Sequence, residues 1–499
     1  MYSWPVSEGG RPGKLLAASA AAYLLSRAPL LGLGFGADAD VWTVAANSRL
    51  LLAGAYVPSR FPGHPLHELL FAWPMAAGGP LAANGLNLAL SLVALWLTWT
   101  LARGWAVAAP LATVALVAVH PLFWIASADS TDFMLATTLA LAALLGAQLG
   151  RPLLAGASLG LACATRIECL LFAVPLAFIL RAGRIRAGLA AAGVAAAFLA
   201  PVALYYLRHP APLNTGFLPS GRLMGWVAAL ASAVGLVPAL ALAALLVRAR
   251  ATALNTLRQR DPLAVAGALL VCAFVAFLFL HPGKSAYLTS AVPLALIALS
   301  RWTSGRGRML LAAAFLSYGV VYPDVVDRDA GGVHAVLRAN NGLLAKDVVA
   351  RVNMQQVYAQ VEARRPRSGV VVLAYWLDAW RWGEARAARA DELAPGVPAD
   401  PLSNAAWRAP DGTVLAHSLT PAELRGLRAQ GVGIAYGEGA DVLERETYGL
   451  DLPALGATPV PVRLLGAEVA ERFTAPQMIA CLGAAGPWAE CLRARTGAR

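Results

Sequence analysis

From Lys14 to about Tyr322 the chain alternates long apolar runs with short polar breaks, and beyond that point the alternation ends. The runs fall at 15–35, 80–101, 105–121, 133–149, 152–165, 169–181, 187–206, 223–247, 263–280, 285–300 and 309–322. A bilayer core about 30 Å thick takes about 20 apolar residues in a helix, so the pattern predicts a polytopic α-helical membrane protein of about 11 transmembrane helices. The runs 152–165 and 169–181 are short and fit half-buried or re-entrant helices. The first run lacks the basic n-region and small-residue cleavage site of a signal peptide, so it reads as a retained span.

The segment 36–79, between the first two runs, is too long for a turn. It holds "DADVWTVAANSRLLLAGAYVPSRFPGHPLHELL" (38–70). Apolar spacing from Val41 to Leu52 predicts an amphipathic helix lying along the membrane surface. "SRFPGHP" (59–65) then imposes an extended, rigid turn through two prolines and a glycine.

Residues 323–499 read as a small α/β domain. "GVVVLAYW" (369–376) and "GVGIAY" (431–436) predict buried strands. "TPAELRGLRAQG" (420–431) predicts a capped helix, with Thr420 as N-cap, Pro421 at the first helical position, Glu423 closing a capping box and Gly431 ending it. The expected division is therefore a membrane part, 1–322, and a soluble part, 323–499.

Composition agrees with a membrane protein: 58% hydrophobic, 14% charged, mean hydropathy +0.60. A soluble chain would carry roughly a quarter charged residues. The net charge of +12 does not point to nucleic acid, because of where it sits. Residues 1–322 hold 21 Lys+Arg against eight acids; residues 323–499 hold 19 against 20. The excess belongs to short basic loops, which set topology. With the N-terminus in the cytoplasm, one side collects fourteen basic residues and the other only six: Arg49, Arg60, Arg166, Arg208, Arg222 and Lys284. That bias orients the chain in a bacterial inner membrane, with the C-terminal part extracytoplasmic.

The acids then become informative. Of the eight before residue 323, six (Asp38, Asp40, Glu68, Asp129, Asp132 and Glu168) fall on the outer side, although acids contribute little to orientation. Charged groups clustered at a bilayer edge tend to mark a working site, with solvated loop charges as the plain alternative. Cys163, Cys169 and Cys272 read as packing residues. Cys481 and Cys491, outside the cytoplasm, fit a disulfide and two free thiols equally well.

"DADVW…SR…SRFPGHPLHE", placed directly after the first span, resembles the GT-C class of polytopic glycosyltransferases, which includes protein O-mannosyltransferases and aminoarabinose transferases. His64 stands where an aromatic is common in that pattern. The resemblance covers roughly 15–320 and implies transfer of a sugar from a polyprenyl-phosphate donor to an extracytoplasmic acceptor (glycan, lipid or protein) with inversion, at the cell envelope. Aligned on D-x-x-x-x-A, Asp40 takes the catalytic position, with Asp38 as helper or metal ligand. "ATRIE" (164–168) resembles the Thr-Arg-x-Glu turn of the class and carries Arg166 and Glu168, for which a structural ion pair is the plainer reading. "HPGKSAYLTSAVP" (281–293) resembles the segment where a basic residue and a tyrosine, here Lys284 and Tyr287, face the donor phosphate. Arg49, Arg60 and Arg166 join them as phosphate candidates. Asp129, Asp132, Glu68, Glu168 and His64 are auxiliary candidates, Asp132 being equally a helix N-terminal charge.

The chemistry needs these residue types. A base must take the acceptor's proton, which a carboxylate can do. The leaving phosphate needs cations, arginine as a fork and lysine as a point charge. A D-x-D pair can also hold a divalent cation, magnesium or manganese, and members of the class differ in needing one. His64, His67 and Glu68 match no zinc spacing, and His120 and His281, each before a proline, read as interfacial structure. The rival reading is a polytopic transporter or lipid flippase, which would tend to show repeated halves with matching broken helices; no such repeat is visible. A non-catalytic assembly or receptor protein with a sensing tail is the third reading.

Overall fold

The computed structural model describes residues 10–461 apart from 60–62, 181, 209–225, 227–229, 231–232, 281–284, 330–331, 400–405, 438–439, 442–443 and 446–448. Arg60, Arg222, His281, Lys284, Cys481 and Cys491 thus lie outside the described residues.

Its helices, in chain order, begin with α1 (Gly10–Arg27), α2 (Ala39–Leu52), α3 (Pro65–Gly104), α4 (Pro110–Ala118), α5 (Pro121–Ala126), α6 (Phe133–Gln148), α7 (Pro152–Thr165) and α8 (Ala173–Ile179). There follow α9 (Arg184–Arg208), α10 (Leu236–Arg258), α11 (Pro262–Leu280), α12 (Val292–Ser300), α13 (Gly305–Val320), α14 (Leu343–Arg364), α15 (Leu377–Gly383) and α16 (Pro421–Ala429). Short 3₁₀ segments, Ile167–Phe172 and Ser285–Ala291, lead into α8 and α12.

Among the described residues four helices are long and apolar enough to cross a membrane: Pro65–Gly104, Arg184–Arg208, Leu236–Arg258 and Pro262–Phe279. Shorter apolar helices surround a core that joins Leu101, Phe123, Leu144, Phe172, Phe274 and Ile297. Large apolar side chains face outward elsewhere; Ile185 and Leu207 on α9 are each 79% exposed, an arrangement suited to lipid and unfavourable in water.

Several expected boundaries move. The run 105–121 holds one short helix, α4, which ends at Ala118, and Pro121, which cannot continue the backbone ladder, opens a second, α5. The run 223–247 is replaced, among the described residues, by α10, which extends past Arg248 and Arg250 to Arg258. Arginine is a good helix former, so those residues prolong the helix instead of forming a loop. α3 begins well before the expected span. Gly79 breaks it at φ 60°, ψ −153°, beyond the reach of a residue with a Cβ, and Pro80 follows. The 80–104 limb matches the expected span, while the 65–78 limb belongs to the first loop.

The first-loop helix exists as α2, but not as a helix resting on lipid. Val41, Trp42, Val44, Ala45 and Ala46 are buried, packed with Phe71 and Met75 of α3 on one side and with Val357, Trp380 and Trp407 of the C-terminal region on the other. Leu52 at its end is exposed. The apolar face is covered by protein, which supplies the burial that a membrane surface was expected to give.

After α13 an antiparallel hairpin, β1 (Val321–Asp329) and β2 (Gly332–Asn341), leads into α14. The C-terminal region then contributes β3 (Val370–Val372), β4 (Ala388–Arg389), β5 (Glu392–Ala394), β6 (Val397–Pro398), β7 (Ala406–Arg408), β8 (Val414–Ala416), β9 (Ile434–Gly437) and β10 (Thr458–Val460). Six of these form a mixed sheet ordered β10-β9-β3-β8-β7-β4, with β3 parallel to both β8 and β9. Alternation along β3 separates two cores: Val371 packs toward α2 and α14, whereas Val370 and Val372 pack toward Leu424 and Leu427 of α16. The "GVVVLAYW" strand is only three residues long, since Ala374–Trp376 turns as a 3₁₀ segment. α16 carries the full capping box: Thr420 Oγ1 accepts from Glu423 N, and Glu423 Oε2 accepts from Thr420 N at 2.6 Å. Gly431 follows with φ +66°.

Candidate active site

The site is assembled on two asparagines of α3. In an apolar helix a buried amide must find partners, and these find the backbone of two loops. Asn84 donates to the carbonyls of Leu31 and Gly34 at 2.7 and 2.8 Å, and accepts from Ser130 Oγ. Asn87, one turn on, donates to the carbonyls of Asp129 and Thr131 at 2.6 and 2.7 Å. A direct loop-to-loop bond, Ser130 N to Phe35 O at 2.6 Å, closes the arrangement. The loop before "DADVW" and the loop "SADSTD" are thereby held side by side. Gly36 permits their approach, because a Cβ there would meet Val41 at 3.1 Å and Asp129 at 3.5 Å.

Between them opens a cleft lined by Asp38, Asp40, Val41, Val44, His67, Thr131, Asp132, Phe133, Arg166 and Tyr287. Five separate parts of the chain meet there: the start of α2, the 65–78 limb of α3, the 131–133 corner, the segment carrying Arg166 and the segment carrying Tyr287. Asp38 is the N-cap of α2, in extended conformation, its Oδ1 accepting from Asp40 N at 3.1 Å. Asp40 sits in the first turn, where the helix dipole favours a carboxylate. Both are half-buried.

Opposite them, Arg166 is buried and forms ion pairs with Asp132 and with Glu168. Its guanidinium stands 3.9 Å from the centre of the Phe133 ring and 5.2 Å from that of Tyr287. His64 Nε2 lies 3.3 Å from Asp132 Oδ2. His67 lines the cleft, its Nε2 3.0 Å from Ser130 O and its ring stacked on Phe71.

Of the expected site residues, the cleft therefore gathers Asp38, Asp40, Asp132, Arg166 and Tyr287. Glu168 and His64 reach it as partners of Arg166 and Asp132. Three others are located elsewhere. Arg49 donates to Trp382 O at 2.9 Å and stacks 4.2 Å over its ring, so it faces the C-terminal region and not the cleft. Glu68 accepts from Tyr56 Oη at 2.6 Å and from Ser59 N at 2.8 Å, tying residues 56–59 of the loop to α3. Burial, reinforced by that carboxylate, keeps the Tyr56 hydroxyl protonated well beyond its ordinary range.

Asp129 points away from the cleft. Its Oδ1 accepts from Thr131 N and Oγ1, and its Oδ2 lies 3.9 Å from Arg351 of α14. Burial pushes its carboxyl up to about 7, against the opposing pull of Arg351. Arg351 is itself completely buried, pairs with Asp347 at 2.8 Å and donates to Ala128 O at 2.7 Å. Sequence reading missed Arg351 because the loop it holds, at Ala128 and Asp129, is more than two hundred residues away. Asn84 and Asn87 had a visible signal, two amides three apart in an apolar run and hence on one helix face.

Among the described residues no group of three or more His, Cys, Asp or Glu side chains gathers as a metal ion would require. Asp38 uses its Oδ1 in the cap of α2.

No family model matches the chain, and no curated protein matches it. Two solved structures are similar over part of their length. The crystal structure of ArnT from Cupriavidus metallidurans in the apo state gives a TM-score of 0.44 at 17% identity, covering 58% of this chain and 60% of that one. That of ArnT from the same organism bound to undecaprenyl phosphate gives 0.43 at 16% identity, covering 59% and 60%. The chain thus matches about three fifths of the ArnT length.

Proposed function

We propose that this protein is a membrane glycosyltransferase that moves a sugar from a polyprenyl-phosphate donor to a hydroxyl acceptor, with inversion at the anomeric carbon. The single observation that carries the reading is the cleft itself. It brings the D-x-D acids at the head of α2 opposite an arginine–carboxylate pair and a tyrosine from distant parts of the chain. The loop motif and the Thr-Arg-x-Glu turn that resemble the GT-C pattern both contribute to that one cavity.

In this reading Asp40 is the base. The acceptor oxygen attacks the anomeric carbon, its proton passes to the Asp40 carboxylate, and the carbon–oxygen bond to phosphate breaks. The electron pair leaves with polyprenyl phosphate. Asp38 caps the helix that carries Asp40 and holds it in place. Asp132 and Glu168 fix the Arg166 guanidinium on the far wall, where it faces the leaving phosphate together with the Tyr287 hydroxyl. Because two carboxylates already offset Arg166, further positive charge is needed; Lys284, three residues before Tyr287, and Arg60, next to Ser59, are the candidates. The cleft opens on the extracytoplasmic side of a bacterial inner membrane, with the N-terminus cytoplasmic and residues 323–499 outside, as the basic-residue bias supports. Membrane lipid and a glycan, lipid or protein acceptor are the partners.

The test is release of polyprenyl phosphate by the purified protein from polyprenyl-phospho-sugars, with a hydroxyl acceptor present. Turnover should fall by about 10²–10⁴ in Asp40→Asn. Full turnover in both Asp40→Asn and Asp38→Asn, or no release from any such donor, would overturn the reading.

A further inference from the structure

We infer that Arg351 is a positioning residue of the cleft: from the C-terminal region it fixes the 127–132 loop, which presents Thr131 and Asp132 to the site. The effect on turnover rests on the proposed glycosyl transfer; the effect on the loop does not.

The argument starts from what holds that loop. From the membrane part, Arg27 Nε donates to Ser127 Oγ at 2.9 Å, Asn87 takes the carbonyls of Asp129 and Thr131, and Asn84 takes the Ser130 hydroxyl. The Ala128 carbonyl is taken from outside that part, by Arg351 Nη1 at 2.7 Å. The same guanidinium lies 3.9 Å from Asp129, whose other oxygen binds Thr131 N and Oγ1. Three steps thus lead from Arg351 to the cleft: Arg351 to Asp129, Asp129 to Thr131, and Thr131 to its neighbour Asp132, which pairs with Arg166. Arg351 is completely buried, so water cannot replace it, and its planar fork serves Ala128 and Asp347 at once. A lysine, with a single ammonium on a flexible stem, cannot span both.

The C-terminal region also grips the opposite wall. Thr43, one turn beyond Asp40 on α2, donates to Asp378 Oδ2 at 2.6 Å, and Arg381 donates to Asn47 at 2.8 Å. Both acid-bearing walls of the cleft are therefore held by residues beyond 343.

The experiment compares the full-length protein with Arg351→Lys and Arg351→Met. Amide hydrogen exchange is read over 126–133, with 370–372 and 434–437 as controls, alongside kcat and donor KM. In Arg351→Met, exchange over 126–133 should rise about tenfold while both control strands stay protected. Turnover should drop up to about a hundredfold, mainly in kcat, because a small misplacement of reacting groups is costly. Arg351→Lys should recover part of both losses, and it alone decides the matter if the methionine variant does not fold. Wild-type exchange over 126–133 in Arg351→Met, or in Arg351→Lys where the methionine variant does not fold, overturns the inference whatever the activity. Faster exchange with unchanged kcat and KM overturns the positioning role. Faster exchange in a wild-type background that transfers no sugar overturns the proposed function while leaving Arg351 as the loop's anchor.

Discussion

Thr43 and Asp378 are joined by a 2.6 Å hydrogen bond across 335 positions of sequence. Asp378 also pairs with Arg381, whose guanidinium stacks 3.7 Å over Trp407 and reaches Asn47 of α2. The helix that carries the candidate base is thus clamped by α15. Removing the carboxylate leaves a buried arginine without its ion partner. Asp378→Ala should destabilise the protein by about 3 kcal/mol, read as a lower midpoint in thermal unfolding in detergent. Asp378→Asn, which can still accept from Thr43, should lose less. Equal midpoints for wild type and the alanine variant would refute the clamp.

Asp38 and Asp40 should separate by the kind of damage they cause. Asn is as good an N-cap as Asp, so Asp38→Asn should keep stability, whereas Asp38→Ala should cost about 1 kcal/mol. The cap of α2 is Asp38 and not Asp40, and Asp40→Asn should fold normally while losing turnover. Thermal midpoints measured beside polyprenyl phosphate release give both readings. A stable, inactive Asp38→Asn would shift the chemistry to that residue.

Arg166 faces two carboxylates and two rings at once. Arg166→Lys keeps the charge but loses the fork and the flat face that stacks on Phe133. Losing one charge-assisted hydrogen bond costs about 1.5–3 kcal/mol, so kcat/KM should fall roughly ten- to hundredfold. The donor KM should carry much of it. Glu168→Gln should cost less than Asp132→Asn, because Asp132 and not Glu168 lines the cleft. The reverse order would argue against this arrangement.

Asp129 makes a pH prediction. Its carboxyl is raised from 3.8 to about 7 by burial, so the folded protein holds its proton where the unfolded chain has lost it. Stability should therefore fall as pH rises between those values and level off above them. Asp347, raised by burial beside the same arginine, acts in the same direction. Asp129→Asn keeps an acceptor for Thr131 and carries no charge. It should be more stable than wild type at pH 8, with the difference shrinking toward pH 5. A difference that grows on acidification would mean that the Arg351 attraction outweighs burial.

Local patterns read well from sequence and long-range ones poorly. The start of the helix after Thr420 was legible to the residue, since its capping box and proline act within four positions, while its end falls at Ala429 with Gln430 as C-cap, just before the expected Gly431. A helix over 41–52 was legible from its apolar spacing, and α2 covers it while starting two residues earlier at Ala39; of the six acids assigned to the outer side, Asp38, Asp40 and Asp132 line the cleft. The covering of α2 was not, since its apolar face fits lipid and protein equally well and only Val357, Trp380 and Trp407 decide between them. Arg49 read as a phosphate ligand for the same reason: nothing near it announces Trp382. Asp129 and Asp132 are two residues from Thr131 and one from it, yet they point into different surroundings, set by Arg351 on one side and by Arg166 and His64 on the other.

The bond from Arg351 to Ala128 closes a loop of 223 residues, and that from Thr43 to Asp378 a longer one. On a ribosome adding about 5–20 residues per second, the acids emerge on the order of tens of seconds before the groups that align them. The helical bundle can insert and pack in that interval, but the cleft remains without its anchors until α14 and α15 have been made. Assembly of the cleft is therefore a late event in the life of each chain, timed by translation and not by insertion, and a nascent chain would stand in the membrane with its acids made but not yet aligned.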